Sequence, residues 1–237
     1  MATRTAALLT GGVDVIQDLA VRDVASVKAN PAFEVITRPS LLNMVIAIDT
    51  REKSPTIDLP SNPMRDRRVR EALVRAINIE AIKTVVMNGF ATPSEQYVPS
   101  SHLGYVPGLD FRKIYPFDLE KARALMKEAG FEKGFSMTLD TTNNRYVNDG
   151  AIAQALAGML ARINVKLNLN LMPRSNFFGY IRVPSDKSSF IMSGWDTPSG
   201  DAGNMYSTLL YSRGKKPGFG QANRGAFSNE EFDGWID

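Results

Sequence analysis

The chain has 237 residues, of which 43% are hydrophobic and 22% charged, as is ordinary for a globular protein that buries a core. Its net charge of +3 is small and dispersed, which argues against a nucleic-acid partner. The absence of cysteine excludes disulfides, thiolate metal sites and a Cys nucleophile, but does not fix the compartment. His102 is the single histidine and lies in a turn-rich segment, so we expect neither a metal site nor a cofactor.

The N-terminal third is predicted to combine short helices with strands. Helices are expected over 3–9 and 21–29, because Gly-Gly and Asn-Pro pairs follow them as stop signals. A strand and turn are expected over 13–19, and adjacent strands over 33–39 and 43–49, where residues alternate or run apolar. The segment that follows carries three prolines without periodicity and should be a loop.

The middle of the chain is predicted to be helical around one long loop. Asp66 should cap a helix that buries Val69, Leu73, Ala76 and Ile77. Further helices are expected over 79–87, capped by Asn78, and over 119–129, capped by Asp118. The segment between them, 90–117, holds four prolines and is long for a compact domain, which indicates a functional or wrapping loop.

A strand–helix–strand unit organises the remainder. Residues 135–141 and 165–173 alternate in the manner of strands, and 151–163 places apolar residues at helical spacing. Such a unit favours neighbouring parallel strands, so we predict an α/β fold with a mixed sheet. A short strand then breaks into a Gly-rich loop that carries Trp195. Ligands of open α/β sheets bind outside the carboxyl ends of strands, so Arg145 and Trp195 mark the candidate site.

The residues offer no convincing catalytic arrangement. The motifs G-x-S-x-G and H-E-x-x-H and a phosphate-binding Gly loop are absent from the sequence. Asp196 and Asp201 could act as a carboxylate pair, but no other residue supports chemistry. We therefore predict that the protein is not an enzyme.

Several stretches, in order, resemble one family of receptors. They are LLTGGVDVI, RRVREALVRAINIEAI with VVMNGFATP, YPFDLEKARALMKEAGF, QALAGMLARINVKLNLNLM, SGW and FSNEEFD. Together they are similar to the extracytoplasmic solute-binding proteins of ABC importers for dipeptides, oligopeptides and glutathione, with nickel and opine relatives. This resemblance covers nearly the whole chain.

The resemblance implies a two-lobed, type II periplasmic-binding-protein fold that closes on its ligand by hinge motion. Residues 1–237 would be the C-terminal lobe, with 1–20 near the crossover between lobes and with the first lobe and the C-terminal return segment absent. No signal peptide is evident, and the last residues read as a helix cut off in its first turns, so we expect a fragment of a longer protein.

The resemblance also implies partners and a location. The ligand would be a peptide or peptide-like small molecule, delivered to an inner-membrane ABC permease by a periplasmic protein that is monomeric when full length. The alternative is a ligand-sensing domain of a transcription regulator, because such regulators borrow the same lobe. The missing N-terminus would discriminate: a signal peptide or lipobox Cys indicates a transport receptor, and a winged helix indicates a regulator.

Two residues match family positions that contact the ligand. Arg145 matches an Arg that pairs with the ligand carboxylate in dipeptide-binding members, and a guanidinium suits that role through two parallel charge-assisted bonds. The alternative is a surface Arg in a polar loop. Trp195 matches a Trp whose loop lines the cleft, where the ring could cover a peptide. The alternative is a core Trp that anchors the loop.

The acidic partner of the ligand amine departs from the family pattern. Dipeptide-binding members carry an Asp three residues after the Trp, and here that position is Pro198. Asp196 or Asp201 could replace it, or both could form Asx-turns in the Gly-rich loop. Weaker candidates for the polar lining, each with a solvated turn as the alternative, are Asn143, Asn144, Tyr146 and Asp149.

Overall fold

The computed structural model describes residues 2–184, 187–197 and 199–237. Its strands are β1 (Asn43–Ile48), β2 (Phe135–Thr142), β3 (Val165–Met172) and β4 (Phe190–Trp195). Its helices are α1 (Ala2–Leu9), α2 (Val24–Lys28), α3 (Arg67–Ala76), α4 (Ile79–Ala81), α5 (Phe111–Ile114), α6 (Leu119–Glu128), α7 (Asp149–Ala161), α8 (Arg174–Tyr180), α9 (Ala202–Leu209) and α10 (Glu230–Ile236). Short 3-10 turns, Val21–Asp23 and Pro63–Arg65, precede α2 and α3, and a π-helical turn, Ile82–Val86, follows α4.

The four strands form one mixed sheet in the order β1-β4-β2-β3. β2 and β3 are parallel over their whole length, as the strand–helix–strand pattern predicts. β4 is parallel to β2, whereas β1 is antiparallel to β4, with Asn43 opposite Trp195. The carboxyl ends of β2, β3 and β4 and the amino end of β1 therefore meet at one edge of the sheet.

Polar side chains begin the helices where the sequence indicates. Asp66, Asn78 and Asp118 each accept a hydrogen bond from a backbone N–H in the first turn of α3, α4 and α6. Asn164, just after α7, has φ 61°, the left-handed conformation that Asn tolerates better than other non-glycine residues. These local signals place the helix starts correctly before any tertiary packing is considered.

One face of the sheet packs against α3, α6 and α7 and forms the main core. The fully buried apolar residues there include Val69, Leu73, Ala122, Met126, Met137, Leu139, Leu156, Leu160, Phe190 and Met192. Burying one such side chain contributes about 1.5–3 kcal/mol relative to leaving it exposed. This face holds the fold together.

The other face of the sheet is more polar. Because side chains alternate along a strand, Ile191 points away from its neighbours Phe190 and Met192. It packs with Phe177 of α8 and with Ile181 in a small apolar cluster. The remaining side chains on this face include Asp140, Asn170 and Ser193.

Some predicted elements are wrong. Residues 13–19 and 33–39 form no strand, and β1 pairs with the distant β4 rather than with 33–39. Val15 and Ile36 are 81% and 67% exposed, so no buried surface fixes these segments as strands. The helix predicted over 79–87 is only one α-helical turn followed by the π-helical turn.

The long segment 90–117 is irregular apart from the short α5. Among the helices of the described residues, none combines the length and the hydropathy needed to cross a membrane.

Candidate functional site

Three loops meet at the edge of the sheet where β2, β3 and β4 end. The backbone N–H of Asn143 donates to the carbonyl of Met172 at 3.1 Å, and Asn144 Oδ1 accepts from the N–H of Arg174 at 2.9 Å. On the other side, the Tyr146 hydroxyl donates to the Gly194 carbonyl at 3.4 Å. The loop after β2 is thus tied to both neighbouring strands, as expected for a site at the carboxyl edge.

Asp149 fixes the conformation of the loop that carries Arg145. Its buried carboxylate Oδ2 accepts three hydrogen bonds, from Thr142 Oγ1 at 2.6 Å and from the backbone N–H groups of Arg145 and Tyr146 at 3.1 Å each. The same residue opens α7, where the helix dipole favours a negative charge. Asp149 is therefore a buried positioning residue and not part of a solvated lining.

The Arg145 side chain is half-buried above the Tyr146 ring. Its Cζ lies 5.1 Å from the ring centroid, a cation–π distance. Among the described residues, no carboxylate lies within ion-pair distance of this guanidinium. The cation is held over the Tyr146 ring, on the loop that Asp149 fixes.

Tyr146 itself is 6% exposed, and its ring lies beneath the Arg145 guanidinium. A Cβ built on Gly194 would lie 2.6 Å from Tyr146 Cε1 and 2.9 Å from Leu42 Cδ2. A side chain at Gly194 would force these groups apart, which explains why a glycine precedes Trp195. Tyr146, a candidate for the polar lining, is buried here, and its ring packs against Gly194 and under the Arg145 guanidinium.

Trp195, the last residue of β4, is half-buried at the same edge. Its indole Nε1 is buried and has no hydrogen-bond partner among the described residues. Buried indole N–H groups usually find an acceptor, and an unpaired one is costly. The ring is therefore partly packed, and its donor has no partner in the described part of the chain.

The long segment 90–117 wraps around the loop that follows Trp195. His102 is buried, and its Nε2 lies 3.1 Å from the carbonyl of Thr197 while Nδ1 lies 3.1 Å from Ser101 Oγ. Leu103 forms an isolated bridge with Asp201. His102 is therefore a structural loop residue that anchors the Trp195 loop.

The acidic candidates are all on the outer side of the site. Asp201 is exposed, and its Oδ1 accepts from the N–H of Gly203 at 2.8 Å as the N-cap of α9, the local turn role that the sequence leaves open. Asp196 and Asn143 are also exposed. Pro198, at the position of the expected amine-binding acid, lies outside the described residues.

Sequence reasoning missed Arg224, which lies in the C-terminal part of the chain. Its Nη1 is 3.4 Å from Ser193 Oγ, and burial lowers the pKa of its guanidinium while the nearby Tyr146 and Tyr97 oppose that effect. Burial also raises the pKa of Tyr97, so this phenol stays neutral. No local motif signals this residue, because its position depends on a contact between segments 31 residues apart.

The arrangement supplies donors and cations around an aromatic platform, which suits an anionic, partly apolar ligand. Within the described ranges, no group of three or more His, Asp or Glu side chains is placed to hold a metal ion. An aromatic ring, a guanidinium and an indole N–H without a partner among the described residues lie at this edge of the sheet, as in one wall of a ligand-binding cleft.

A family model described as bacterial extracellular solute-binding proteins, family 5 Middle, matches residues 1–217. The chain belongs to this family. The glutathione-binding protein GsiB of Salmonella paratyphi A is 30% identical over 234 residues, 98% of this chain and 43% of the relative. GsiB of Escherichia coli O157:H7 is 29% identical over 237 residues, again 43% of the relative. The chain thus spans less than half the length of these curated relatives, in a family of solute-binding proteins and not of enzymes.

Solved structures of other binding proteins share the fold. The periplasmic binding protein DppA from Helicobacter pylori, in complex with the peptide STSA, superposes with a TM-score of 0.81 at 21% identity, over 99% of this chain and 42% of that one. The binding protein AgaA from A. tumefacien R10, in complex with agropinic acid, gives 0.79 at 24% identity, over 99% and 44%. The predicted class, a mixed sheet flanked by helices in a type II binding-protein fold, is confirmed.

Proposed function

We propose that this chain is the C-terminal lobe of the substrate-binding component of an ABC-type peptide importer. It would contribute one wall of a cleft that closes on a small peptide-like ligand in the periplasm, and the intact protein would deliver that ligand to an inner-membrane permease. The single observation that carries this proposal is the Arg145 guanidinium, which lies over Tyr146 without a carboxylate partner in the described residues.

The family supports the class of ligand. The relatives named above include glutathione-binding proteins, and one of the solved structures of the same fold holds a peptide. A peptide offers a carboxylate for Arg145 and apolar surface for the half-buried Trp195 ring. None of the proteins named above is described as a transcription regulator, so transport is the function we propose.

Closure of two lobes would stabilise the bound state, because both walls contact the ligand only when the cleft is shut. This lobe would supply the anion-binding side. Asp196 and the free oxygen of Asp201 would face the ligand amine from the rim, in place of the acid that Pro198 replaces.

The proposal is tested by binding measurements on the intact protein that carries this chain. Isothermal titration calorimetry with glutathione, dipeptides and tetrapeptides should identify at least one ligand. Replacing Arg145 by Ala should then make the binding free energy of that ligand less favourable by about 1.5–3 kcal/mol, the value of a hydrogen bond to a charged group.

Arg162→Ala provides the matched control. Arg162 is an exposed arginine that follows α7, at the opposite edge of the sheet, and its loss should leave affinity unchanged. Equal affinity of the wild-type and Arg145→Ala proteins would remove Arg145 from the site. Failure of every peptide in the panel would refute a peptide-like ligand.

A further inference from the structure

Arg224 is mounted on a rigid turn. The buried Asn223 amide donates to the carbonyls of Tyr211 at 2.9 Å and Phe227 at 2.7 Å. Immediately after Arg224, the Gly225 carbonyl accepts from both the N–H and the hydroxyl of Thr50 at 2.8 and 3.0 Å. The backbone on each side of Arg224 is thus fixed by long-range hydrogen bonds.

Gly225 shows how closely this turn is seated against the sheet. A Cβ at this position would lie within van der Waals overlap of the Ile48 carbonyl at the end of β1. Only glycine allows this approach, at the end of β1 that lies opposite Phe190, and from there the Arg224 side chain extends to Ser193 of β4. A side chain presented by so constrained a backbone is held in place before any ligand arrives.

The Arg224 guanidinium lacks a counter-ion in the described part of the chain. Its one hydrogen bond found there is to the Ser193 hydroxyl at 3.4 Å, which is long and uncharged. The side chain is nevertheless half-buried. A partly desolvated cation without an anion is unfavourable, and proteins normally pair such groups.

Other unsatisfied donors lie beside it. Ser193 and Trp195 are two residues apart on β4, so their side chains point to the same face of the sheet. The Trp195 indole Nε1 is buried and has no hydrogen-bond partner among the described residues. Arg145 lies over the Tyr146 ring, which packs on the Cβ side of Gly194 and therefore toward the other face of β4. Arg224 and the indole N–H therefore lie toward one face of β4, and Arg145 lies at the carboxyl edge toward the other face. Within the described ranges, neither guanidinium forms an ion pair with an acidic side chain.

We infer that Arg224 binds a second anionic group of the ligand, separate from the carboxylate bound by Arg145, and that the preferred ligand is a peptide-like dianion. This inference rests on the proposed function, because it assigns a ligand class to the same cleft. A ligand with one carboxylate would leave one of the two cations without a partner. A ligand with two would satisfy both, with the indole N–H as an additional donor.

The test uses glutathione, which carries two carboxylates, and two analogues that each lack one. In the glycine ethyl ester the glycine carboxylate is blocked, and in the 4-aminobutyryl analogue the glutamyl carboxylate is missing while the amine remains. Calorimetry on the intact wild-type protein should show each analogue binding at least about tenfold more weakly than glutathione.

The variants Arg224→Gln and Arg145→Gln then assign the carboxylates. Each variant should lose the discrimination against one analogue and keep it against the other, in a crossed pattern. Arg224→Lys should restore part of the affinity, because it returns the charge. Thermal melting without ligand checks that each variant is folded. If Arg224→Gln does not fold, the comparison of glutathione with the two analogues on the wild-type protein still tests the second anion site.

The outcomes separate this inference from the proposed function. If wild-type protein binds the analogues as tightly as glutathione, or if Arg224→Gln weakens all three ligands equally, the second anion site is wrong and peptide binding stands. If neither glutathione nor any dipeptide or tetrapeptide binds, the proposed function is wrong, and this inference is wrong as well.

Discussion

The two faces of the sheet differ in whether their buried groups have packing or hydrogen-bond partners. The face toward α3, α6 and α7 is apolar and closed, with Met137, Leu139, Phe190 and Met192 at most 2% exposed. The opposite face and its carboxyl edge hold polar groups that lack partners among the described residues. These are Asp140 Oδ2, Ser188 Oγ and Trp195 Nε1, together with the half-buried guanidinium of Arg224.

The difference separates stability from binding. Apolar burial drives folding and tolerates no vacancy, whereas unsatisfied donors reduce stability unless a partner arrives. At a binding site, the ligand supplies the missing hydrogen-bond partner and offsets this cost. Substitutions in the apolar core and at the donors of the carboxyl edge should therefore have opposite signatures, with large stability effects for the first and mainly affinity effects for the second.

The largest effect is expected for Leu139→Ala on the apolar face. Leu139 is fully buried in the middle of β2, and its truncation should lower the free energy of unfolding by about 2–5 kcal/mol because a cavity remains. Urea denaturation of the intact protein measures this. Lys166→Ala on the exposed side of β3 is the control, with an expected change below about 0.5 kcal/mol. Similar values for both variants would contradict the assignment of this face as the core.

Asp149→Ala should lower both the unfolding free energy and the ligand affinity, because Asp149 is buried and also fixes the loop that carries Arg145. The substitution leaves the Thr142 hydroxyl and the N–H groups of Arg145 and Tyr146 without their acceptor, at a cost of about 1–3 kcal/mol in unfolding free energy. The loop that presents Arg145 should also loosen. Calorimetry should therefore show weaker ligand binding even at temperatures where the variant is fully folded.

Asp149→Asn separates the two roles, since the amide keeps one acceptor oxygen and removes the charge. We expect it to recover part of the affinity. If Asp149→Ala lowered stability while the ligand bound as in the wild type, the carboxylate would be structural only and would not position Arg145.

Much of the fold follows from local signals in the sequence. Asp66 and Asp118 cap helices, and the alternation in β2 and β3 with helical spacing between them predicts the parallel pair. The failures at 13–19 and 33–39 have a common cause. Alternation predicts a strand only where a partner and a buried face exist, and both depend on distant segments, as the pairing of β1 with β4 shows.

The candidate site was predictable only in part, for the same reason. Topology brings the loops after β2 and β4 to one edge, which identifies Arg145 and Trp195 from the sequence. Arg224 comes to this neighbourhood through Gly225 and Thr50, 175 residues apart, and no periodicity encodes that contact. For Asp201 the sequence suits either a ligand contact or an Asx-turn, and in the structure one of its carboxylate oxygens caps α9.

Trp195→Phe sharpens the comparison at the polar edge. The change removes a buried donor that has no partner in the described ranges, so the unfolding free energy of the unliganded protein should change by less than about 1 kcal/mol. Affinity for the ligand found in the panel should fall by about 0.5–1.5 kcal/mol, the net value of one hydrogen bond. Trp235→Phe, at a Trp that is 73% exposed, is the control. A large loss of stability with unchanged affinity would make Trp195 a core residue only.

The smallest effect is expected at Asp140, on the polar face beneath α8. One carboxylate oxygen accepts from Asn170 Nδ2 at 2.7 Å, and the other is buried near Ser188 without a hydrogen bond to a described residue. Burial raises the pKa of Asp140, against the opposing influence of Ser188 and Asn170. The folded state therefore prefers the protonated form, whose stabilisation is fully present below the unfolded pKa of about 3.9 and is lost as pH rises through the folded pKa.

Asp140→Asn should abolish this dependence, because the amide keeps the acceptor for Asn170 and carries no charge. At pH 4 the unfolding free energies of the two proteins should differ by less than about 1 kcal/mol. As the pH rises toward 7, the variant should become more stable relative to the wild type. Urea denaturation across that range measures the difference, with Asp58→Asn at an exposed carboxylate as the control. A difference that stayed constant with pH would mean that Asp140 is ionised equally in both states, and the polar face would then be better solvated than its burial indicates.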